Sequence, residues 1–486
     1  MRISLGRVLQ TINIITMLIV FYSLFSECNE CYSLFGSESK IAILLYLIIF
    51  IFLSRKSIVQ DRLFYKVVIF SIVIAINQRY AFLAIDGSNM MHYSLYNGSN
   101  VFSSIVGLSV YTLFFMGISY FFPRRLEYEI KNIFTMKNIL IKRYAIIAVL
   151  LFIAAAIIKL FQLYGFGLSG IGFNAESQNI FLRYFLRFMQ IEVLYTIAFF
   201  LFMQVRSDLK SNALLHILMF FMIIFSVLSG SKAGLLFIIL NSVFYIYLSG
   251  RDIVFKINIR TFMKAVALTM VAILLFSVND VIRSVVWHNN INVKDYNAVN
   301  IVNQISERIS IVDDSIRVDN LDNNEVGYRD IRDKVNIINT TYSSIDALIP
   351  TTLFPDIVRP QHALSYAYGN DPFEVNGILT NSGYVWGFYG FNKYVFNFFG
   401  GIVALILQYL FWISFLHIVF IIIKNIIIRG AIILFFVQQN TYFFITMFSM
   451  DEWLSPYLDR TISIILSVLL LLTLSIIFRG QRAYDS

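Results

Sequence analysis

The chain has 486 residues, of which 58% are hydrophobic and 14% charged, and its mean hydropathy is +0.73. A soluble globular protein carries about 25% charged residues, so this composition excludes a soluble domain and predicts an all-α polytopic membrane protein. The net charge of +9 does not indicate nucleic-acid binding, because the Lys and Arg residues lie beside the apolar runs, where membrane topology places them.

Twelve apolar stretches are candidates for membrane-crossing helices, each of which needs roughly 20 mostly apolar residues. The predicted spans are 8–26, 39–54, 67–85, 101–122, 144–163, 185–204, 213–229, 233–249, 265–281, 395–423, 430–448 and 460–478. A charged stretch at 123–143 is predicted to form an amphipathic helix on the inner membrane surface.

The distribution of Lys and Arg predicts the orientation of these spans. With the N-terminus inside, the inner segments hold 22 basic residues and the short outer segments hold 4. Because basic residues are retained on the cytoplasmic side, this asymmetry predicts that both termini lie inside.

One outer segment, 282–394, is much longer than the other connections and divides the chain into three parts. It carries 9 Lys or Arg and 13 Asp or Glu residues in 113 positions. We predict an N-terminal bundle at 1–281, a large outer loop at 282–394 and a C-terminal bundle at 395–486. A loop of this length is expected to carry function on the rigid scaffold of the spans.

Basic side chains lie at the predicted outer ends of the spans, where the positive-inside rule predicts few. They are Arg79, Lys159, Arg183, Arg187, Lys232 and Arg283. The guanidinium group matches phosphate oxygens in a bidentate way, so we expect the set to bind an anionic ligand at the lipid boundary. The alternative for each of them is a side chain that extends alone to the water interface.

The stretch S-G-S-K-A-G (229–234) forms a tight turn between the seventh and eighth predicted spans. Lys232 comes just before a helix, whose N-terminus offers free N–H groups and a dipole that favours anions. The turn is therefore a candidate phosphate site, and a plain turn with an exposed lysine is the alternative.

The second half of the loop contains a cation and a titratable base close together. Arg359 precedes His362 by three residues, in a pattern that suits glycosyl or acyl transfer. Asp371 and Glu374 are alternative bases. The stretch 374–401 is rich in Gly, Asn and aromatic residues, which is typical of a sugar-stacking surface or of an interfacial aromatic belt. No nucleotide motif and no metal-ligand spacing is found, so we predict no cofactor and no metal site.

These features together resemble Wzy-type O-antigen polymerases, which join oligosaccharide repeat units. The resemblance rests on about twelve spans, the S-G-S-K turn and the late outer loop. In that family the loop ends in a proline-basic-proline stretch and a Gly/aromatic-rich return to the membrane. Here these are "IPTTLFPDIVRP" (349–360) and "NSGYVWGFYGFNKYVFNFFGG" (381–401).

The resemblance implies a metal-independent glycosyltransferase of the bacterial inner membrane, with a periplasmic loop and cytoplasmic termini. Its substrate would be an oligosaccharide on undecaprenyl pyrophosphate, and its partner a chain-length regulator protein. We assign catalytic roles to Arg283, Arg359 and His362, and substrate binding to Arg79, Arg183, Arg187 and Lys232. The alternatives are an O-antigen ligase, a flippase for the same lipid-linked unit and a GT-C-type glycosyltransferase.

Overall fold

The computed structural model describes residues 2–25, 36–55, 62–85, 98–136, 142–165, 190–205, 213–229, 232–256, 335–346, 387–439 and 460–484. It also describes scattered positions between 258 and 316, and residue 457.

The described chain is almost entirely helical. Its elements are β1 Arg2–Ser4, α1 Leu5–Phe25, α2 Ser37–Leu53, α3 Leu63–Ile72, a π-helical turn Val73–Asn77, α4 Gln78–Ile85, α5 Gly98–Tyr120, α6 Arg124–Thr135, α7 Lys142–Gly165, α8 Ile191–Val205, α9 Ala213–Leu228, α10 Lys232–Leu248, β2 Val254–Lys256, α11 Ile337–Asp346, α12 Gly387–Ile422, α13 Ile426–Gln439 and α14 Thr461–Tyr484. Each predicted span except the ninth overlaps one of these helices. The structure describes only scattered positions of the ninth span, and these positions are helical.

Five helices among the described residues are long and apolar enough to cross a membrane. They are Leu5–Phe25, Leu63–Ala84, Val101–Tyr120, Lys142–Leu160 and Phe388–Ile422. Large apolar side chains such as Leu18, Ile157 and Phe399 are exposed on their outer faces. The chain is therefore an all-α membrane protein whose helices suit a lipid bilayer.

The helices share one hydrophobic core, and α8 lies at its centre. Nearly every residue of α8 from Ile191 to Gln204 is buried, as expected for a helix that is apolar on all sides. It packs most extensively on α7 and also contacts α9, α10, α13 and α14. On the other side of the bundle, α1 packs against α2 and α4, and α2 packs against α5.

One end of the bundle is closed by the β1–β2 ribbon and by the amphipathic helix α6. Strands β1 and β2 pair antiparallel, with Ile3 opposite Phe255. Helix α6 confirms the predicted amphipathic helix, although it ends at Thr135, earlier than predicted. Its buried Glu127 accepts a hydrogen bond from the Phe64 N–H (3.1 Å) and so caps the N-terminus of α3. Burial raises the Glu127 pKa, although this bond and the nearby Arg62 act in the opposite direction.

Helix α12 is broken at Asn397, which has φ 61° and ψ 178°. A straight helix of 36 residues would be about 54 Å long, whereas the hydrocarbon core is about 30 Å thick. The break brings Asn392 and Gly401, nine positions apart in the sequence, into contact. The chain therefore folds back at Asn397, where a single span starting at 395 was predicted.

We expect Asn397→Gly to stabilise the protein. This backbone region is adopted almost only by glycine, and a non-glycine residue there costs about 1–3 kcal/mol. Glycine adds an entropic cost of about 0.5–1 kcal/mol, which leaves a net gain of about 1 kcal/mol. Thermal unfolding of the detergent-purified variant measures the effect. Asn397→Ala is the control and should be no more stable than the wild type; a loss of stability in the glycine variant would contradict the prediction.

Candidate functional site

The structure describes two of the seven predicted site residues. Arg183, Arg187, Arg283, Arg359 and His362 lie outside the described residues, so their roles stay predictions. Lys232 is the first residue of α10, as predicted for a residue at a helix N-terminus. Arg79 lies in α4, and its side chain is completely buried.

Arg79 forms a bidentate ion pair with Asp313, a residue of the predicted outer loop. Its Nε lies 2.8 Å from Asp313 Oδ2, and its Nη2 lies 2.9 Å from Oδ1. The exposed fractions of the two side chains are 0% and 3%. Arg79 therefore does not extend to the water interface; its charge is neutralised inside the bundle.

Asn77 and Gln78, the two residues before Arg79, also form side-chain hydrogen bonds inside the bundle. Asn77 accepts a hydrogen bond from the Tyr46 hydroxyl (2.7 Å) and donates one to Asn13 Oδ1 (2.8 Å). Gln78 donates to the Ser306 carbonyl (3.0 Å) and accepts from the Ser306 hydroxyl (2.7 Å). We call Asn13, Tyr46, Asn77, Gln78, Arg79, Ser306 and Asp313 the polar network.

The π-helical turn Val73–Asn77 provides the backbone contact for the loop segment. Its widened geometry interrupts the regular pattern of the long third span, and such turns occur frequently at functional sites. The Ala75 carbonyl accepts a hydrogen bond from the Ile311 N–H at 3.1 Å. Arg79 lies about 24 Å along this span from Leu63, and therefore near its far end.

Apolar residues on either side of Asp313 anchor the same segment in the hydrophobic core. Ile311, Val312 and Ile316 are all buried and belong to the common core of the helices. Ser315 is also buried, and its hydroxyl donates to the Ile311 carbonyl at 2.7 Å. The described part of the predicted loop between 306 and 316 is therefore part of the bundle, held by both apolar and charged contacts.

The S-G-S-K-A-G turn joins two closely packed antiparallel helices, α9 and α10. A Cβ atom on Gly234 would lie 2.0 Å from the Ser226 hydroxyl oxygen, so only glycine allows this approach. Ser229 follows the last residue of α9, and its N–H donates to the Phe225 carbonyl at 2.9 Å. Gly230, Ser231 and the Lys232 side chain lie outside the description, so the phosphate site stays a prediction.

The aromatic residues that return the chain to the membrane are buried where the structure describes them. Phe388, Tyr389 and Phe391 are at most 1% exposed. Tyr389 packs edge-to-face on Tyr111, with ring centroids 5.0 Å apart. These three side chains therefore belong to the core and offer no surface for stacking on a sugar, which was one of the two interpretations of this stretch.

The arrangement can fix a loop segment against the helices and keep two opposite charges inside the bundle. A charge here is costly unless it is paired, so intramembrane ionisable groups mark functional sites. Asp313 and Tyr46 were not among the predicted site residues. Within the described residues, no three His, Cys, Asp or Glu side chains lie close enough to hold a metal ion.

The fold and the polar network define a class: an all-α membrane protein with a loop segment docked inside its helical bundle. Comparisons with protein-family models, curated proteins and solved structures find no match for this chain.

Proposed function

We propose that this protein polymerises undecaprenyl-pyrophosphate-linked oligosaccharide repeat units at the periplasmic face of the bacterial inner membrane. The growing glycan moves from its lipid pyrophosphate to a hydroxyl at the non-reducing end of a new unit. The bond between the sugar C1 and the pyrophosphate oxygen breaks, and a glycosidic bond forms. In this proposal both termini are cytoplasmic, and a chain-length regulator protein is the partner.

The observation that carries this proposal is the insertion of the segment 306–316 into the bundle through Arg79 and Asp313. The reaction joins a polar sugar to a leaving group attached to a lipid, so its catalytic groups must be held at the lipid boundary. A long polar loop that is fixed to the spans at two places meets this requirement. Its C-terminal end is fixed by the fold-back at Asn397, beside the buried Tyr389.

The predicted residues take distinct roles in this reaction. Arg183, Arg187, Lys232 and Arg283 would bind the pyrophosphate and stabilise the negative charge that develops on it. Arg359 would assist them or bind acceptor sugar.

The acceptor hydroxyl needs a base, for which His362 is the candidate, with Asp371 and Glu374 as alternatives. Arg79 is already engaged by Asp313. We therefore propose that it binds substrate only indirectly, by holding the loop in position.

A flippase for the same lipid-linked unit is the second candidate, because the polar network lies in the interior of the bundle. Transporters carry their sites at interrupted helices near the membrane midplane, and the π-helical turn beside Arg79 is such an interruption. The polymerase is preferred because transport does not require the long docked loop.

Lipopolysaccharide from a strain that lacks this gene tests the proposal. We expect core that carries a single repeat unit and no ladder on a gel, because flipping and ligation would survive while polymerisation is lost. Bare core with accumulated lipid-linked polymer would indicate the ligase. Bare core with single units on the inner leaflet would indicate the flippase.

Complementation of the same strain tests whether a predicted catalytic residue is needed for polymerisation when the protein itself is present. The wild-type chain should restore the ladder, whereas Arg283→Ala at equal protein level should not. A normal ladder from the variant would remove Arg283 from the site.

A further inference from the structure

The first part of α12, residues 387–396, runs back into the bundle from the break at Asn397. The backbone of Asn392, five positions before the break, lies 2.8 Å from a Cβ built on Gly401, four positions after it. The first part of α12 is therefore an antiparallel neighbour of the second part, residues 398–422. Residues before Asn392 lie beside residues after Gly401.

Contacts with α5 show how far the first part of α12 reaches into the bundle. Phe115 lies about 8 Å along α5 from its end at Tyr120 and about 26 Å from its start at Gly98. The Phe388 ring centroid is 6.0 Å from that of Phe115 and 6.3 Å from that of Tyr111. Phe388 therefore lies near the midpoint of α5.

The break in α12 lies nearer to the membrane surface than Phe388 does. Asn397 precedes Trp412 by about 22 Å of helix. The Trp412 ring packs on Phe64 and Phe122, at the end of the bundle where α3 begins and α5 ends. Because the hydrocarbon core is about 30 Å thick, the break lies in the half of the membrane away from that end, and Phe388 lies deeper than the break.

Helix α5 provides a closely fitted contact surface for the first part of α12. A Cβ on Gly107 would lie 2.2 Å from the Tyr389 hydroxyl oxygen, so only glycine leaves room for this ring. Tyr111 is completely buried, and its ring packs edge-to-face on Tyr389 and on Phe398, at 5.0 and 5.6 Å. Its hydroxyl donates to the Phe398 carbonyl at 2.8 Å. Tyr111 therefore contacts α12 on both sides of the break.

We propose that residues 387–396 form a re-entrant helix, and that Tyr111 is a positioning residue for the proposed reaction because it holds this helix in place. This inference rests on the proposed polymerase function. The helix fixes the depth at which the predicted outer loop rejoins the bundle, and so fixes the distance between the loop and a leaving group attached to a lipid. Misplacement by about 1 Å can cost about 10²-fold in rate. Tyr111 itself is in the apolar core and acts through α12, without contact to substrate.

The depth of the helix in the membrane is tested without an enzyme assay. Nitroxide labels are attached to Lys393→Cys and to Val403→Cys, each in a chain that also carries Cys28→Ser and Cys31→Ser. Lys393 is half-buried and Val403 is exposed, so both positions accept a label. Collision rates with oxygen and with a nickel chelate then report the depth of each label in liposomes.

We expect the two labels to lie within about 5 Å of the same depth, because residues 392 and 401 are neighbours. In a continuous helix, position 393 would lie about 15 Å farther out than position 403. A difference of that size would overturn the re-entrant helix.

Tyr111→Phe tests the positioning role, since it removes the hydroxyl and keeps the ring. Tyr245→Phe is the matched control: its buried hydroxyl donates to the Phe134 carbonyl at 3.1 Å, and its ring packs on Phe134 of α6. Both variants should lower the thermal unfolding temperature by similar amounts. In liposomes with lipid-linked repeat units, well below that temperature, Tyr111→Phe should lower kcat about tenfold with KM unchanged. Tyr245→Phe should leave kcat and KM unchanged.

The kinetic outcomes separate the positioning role from a purely structural one. Equal kcat values for Tyr111→Phe and Tyr245→Phe would show that the Tyr111 hydroxyl only stabilises the fold, and would overturn its role. A raised KM with unchanged kcat would also overturn it, because the hydroxyl would then act in substrate binding. If the wild type does not elongate the units, the proposed function and the positioning role both fail, whereas the depth measurement still decides the re-entrant helix.

Discussion

Asp313→Asn is expected to destabilise the protein by about 3–5 kcal/mol, because it removes the carboxylate charge that pairs with the buried Arg79 guanidinium. The two groups form a bidentate pair with at most 3% exposure, so water cannot replace the lost carboxylate. The same substitution should release the segment 306–316 from the bundle and abolish long glycan chains. Thermal unfolding in detergent and the lipopolysaccharide ladder of a complemented strain measure the two effects.

Two further variants separate the ion pair from general effects of the substitution. The double variant Arg79→Gln/Asp313→Asn removes both charges and should recover most of the stability. Glu129→Gln removes an exposed pair with Arg125, whose side chain is 85% exposed, and should cost about 0.3–0.5 kcal/mol. An Asp313→Asn variant as stable as Glu129→Gln would show that the pair does not hold the loop.

Gly401→Ala is expected to lower stability by about 1–3 kcal/mol or more, because the fold-back in α12 leaves no room for a methyl group. The added Cβ would lie 2.1 Å from the Tyr111 hydroxyl oxygen and 2.8 Å from the Asn392 carbonyl oxygen. The Tyr111 hydroxyl donates to the Phe398 carbonyl at 2.8 Å, so its movement would break that bond. The methyl group would therefore force apart the two parts of α12 on either side of Asn397, and the thermal unfolding temperature should fall.

Gly117→Ala provides the matched control in a second apolar helix. Gly117 lies in α5, and nothing lies within 4 Å of a Cβ built on it. Alanine is a better helix former than glycine by about 1 kcal/mol, so this variant should be neutral or slightly more stable. If Gly401→Ala were as stable as Gly117→Ala, the tight packing of Tyr111 and Asn392 around Gly401 would be contradicted.

The helices could be predicted from the sequence because each crossing segment is a long apolar run bounded by polar residues. The predicted spans 101–122 and 144–163 agree with α5 and α7 within a few residues. The break in α12 could not be predicted in this way. Apolar composition continues through Asn397, and the adjacent Gly400 and Gly401 gave only a local indication of close packing.

The polar network was only partly predictable. Arg79 was recognised because a basic residue inside an apolar run is unusual. Its partner lies 234 positions away in a segment whose composition resembles a solvated loop, and pattern reasoning has no means to pair such residues. One signal was present: an arginine within a span requires a carboxylate, and Asp313 is preceded by the apolar Ile311 and Val312.

The proposed polymerase activity is tested most directly with the purified protein in liposomes, supplied with lipid-linked repeat units and a metal chelator. The account predicts a ladder of lipid-linked glycans longer than one unit, with release of undecaprenyl pyrophosphate. An active wild-type ladder that Arg283→Ala lacks would assign the activity to the predicted site. Units that cross the bilayer without elongation, or elongation only after a divalent ion is added, would contradict the account.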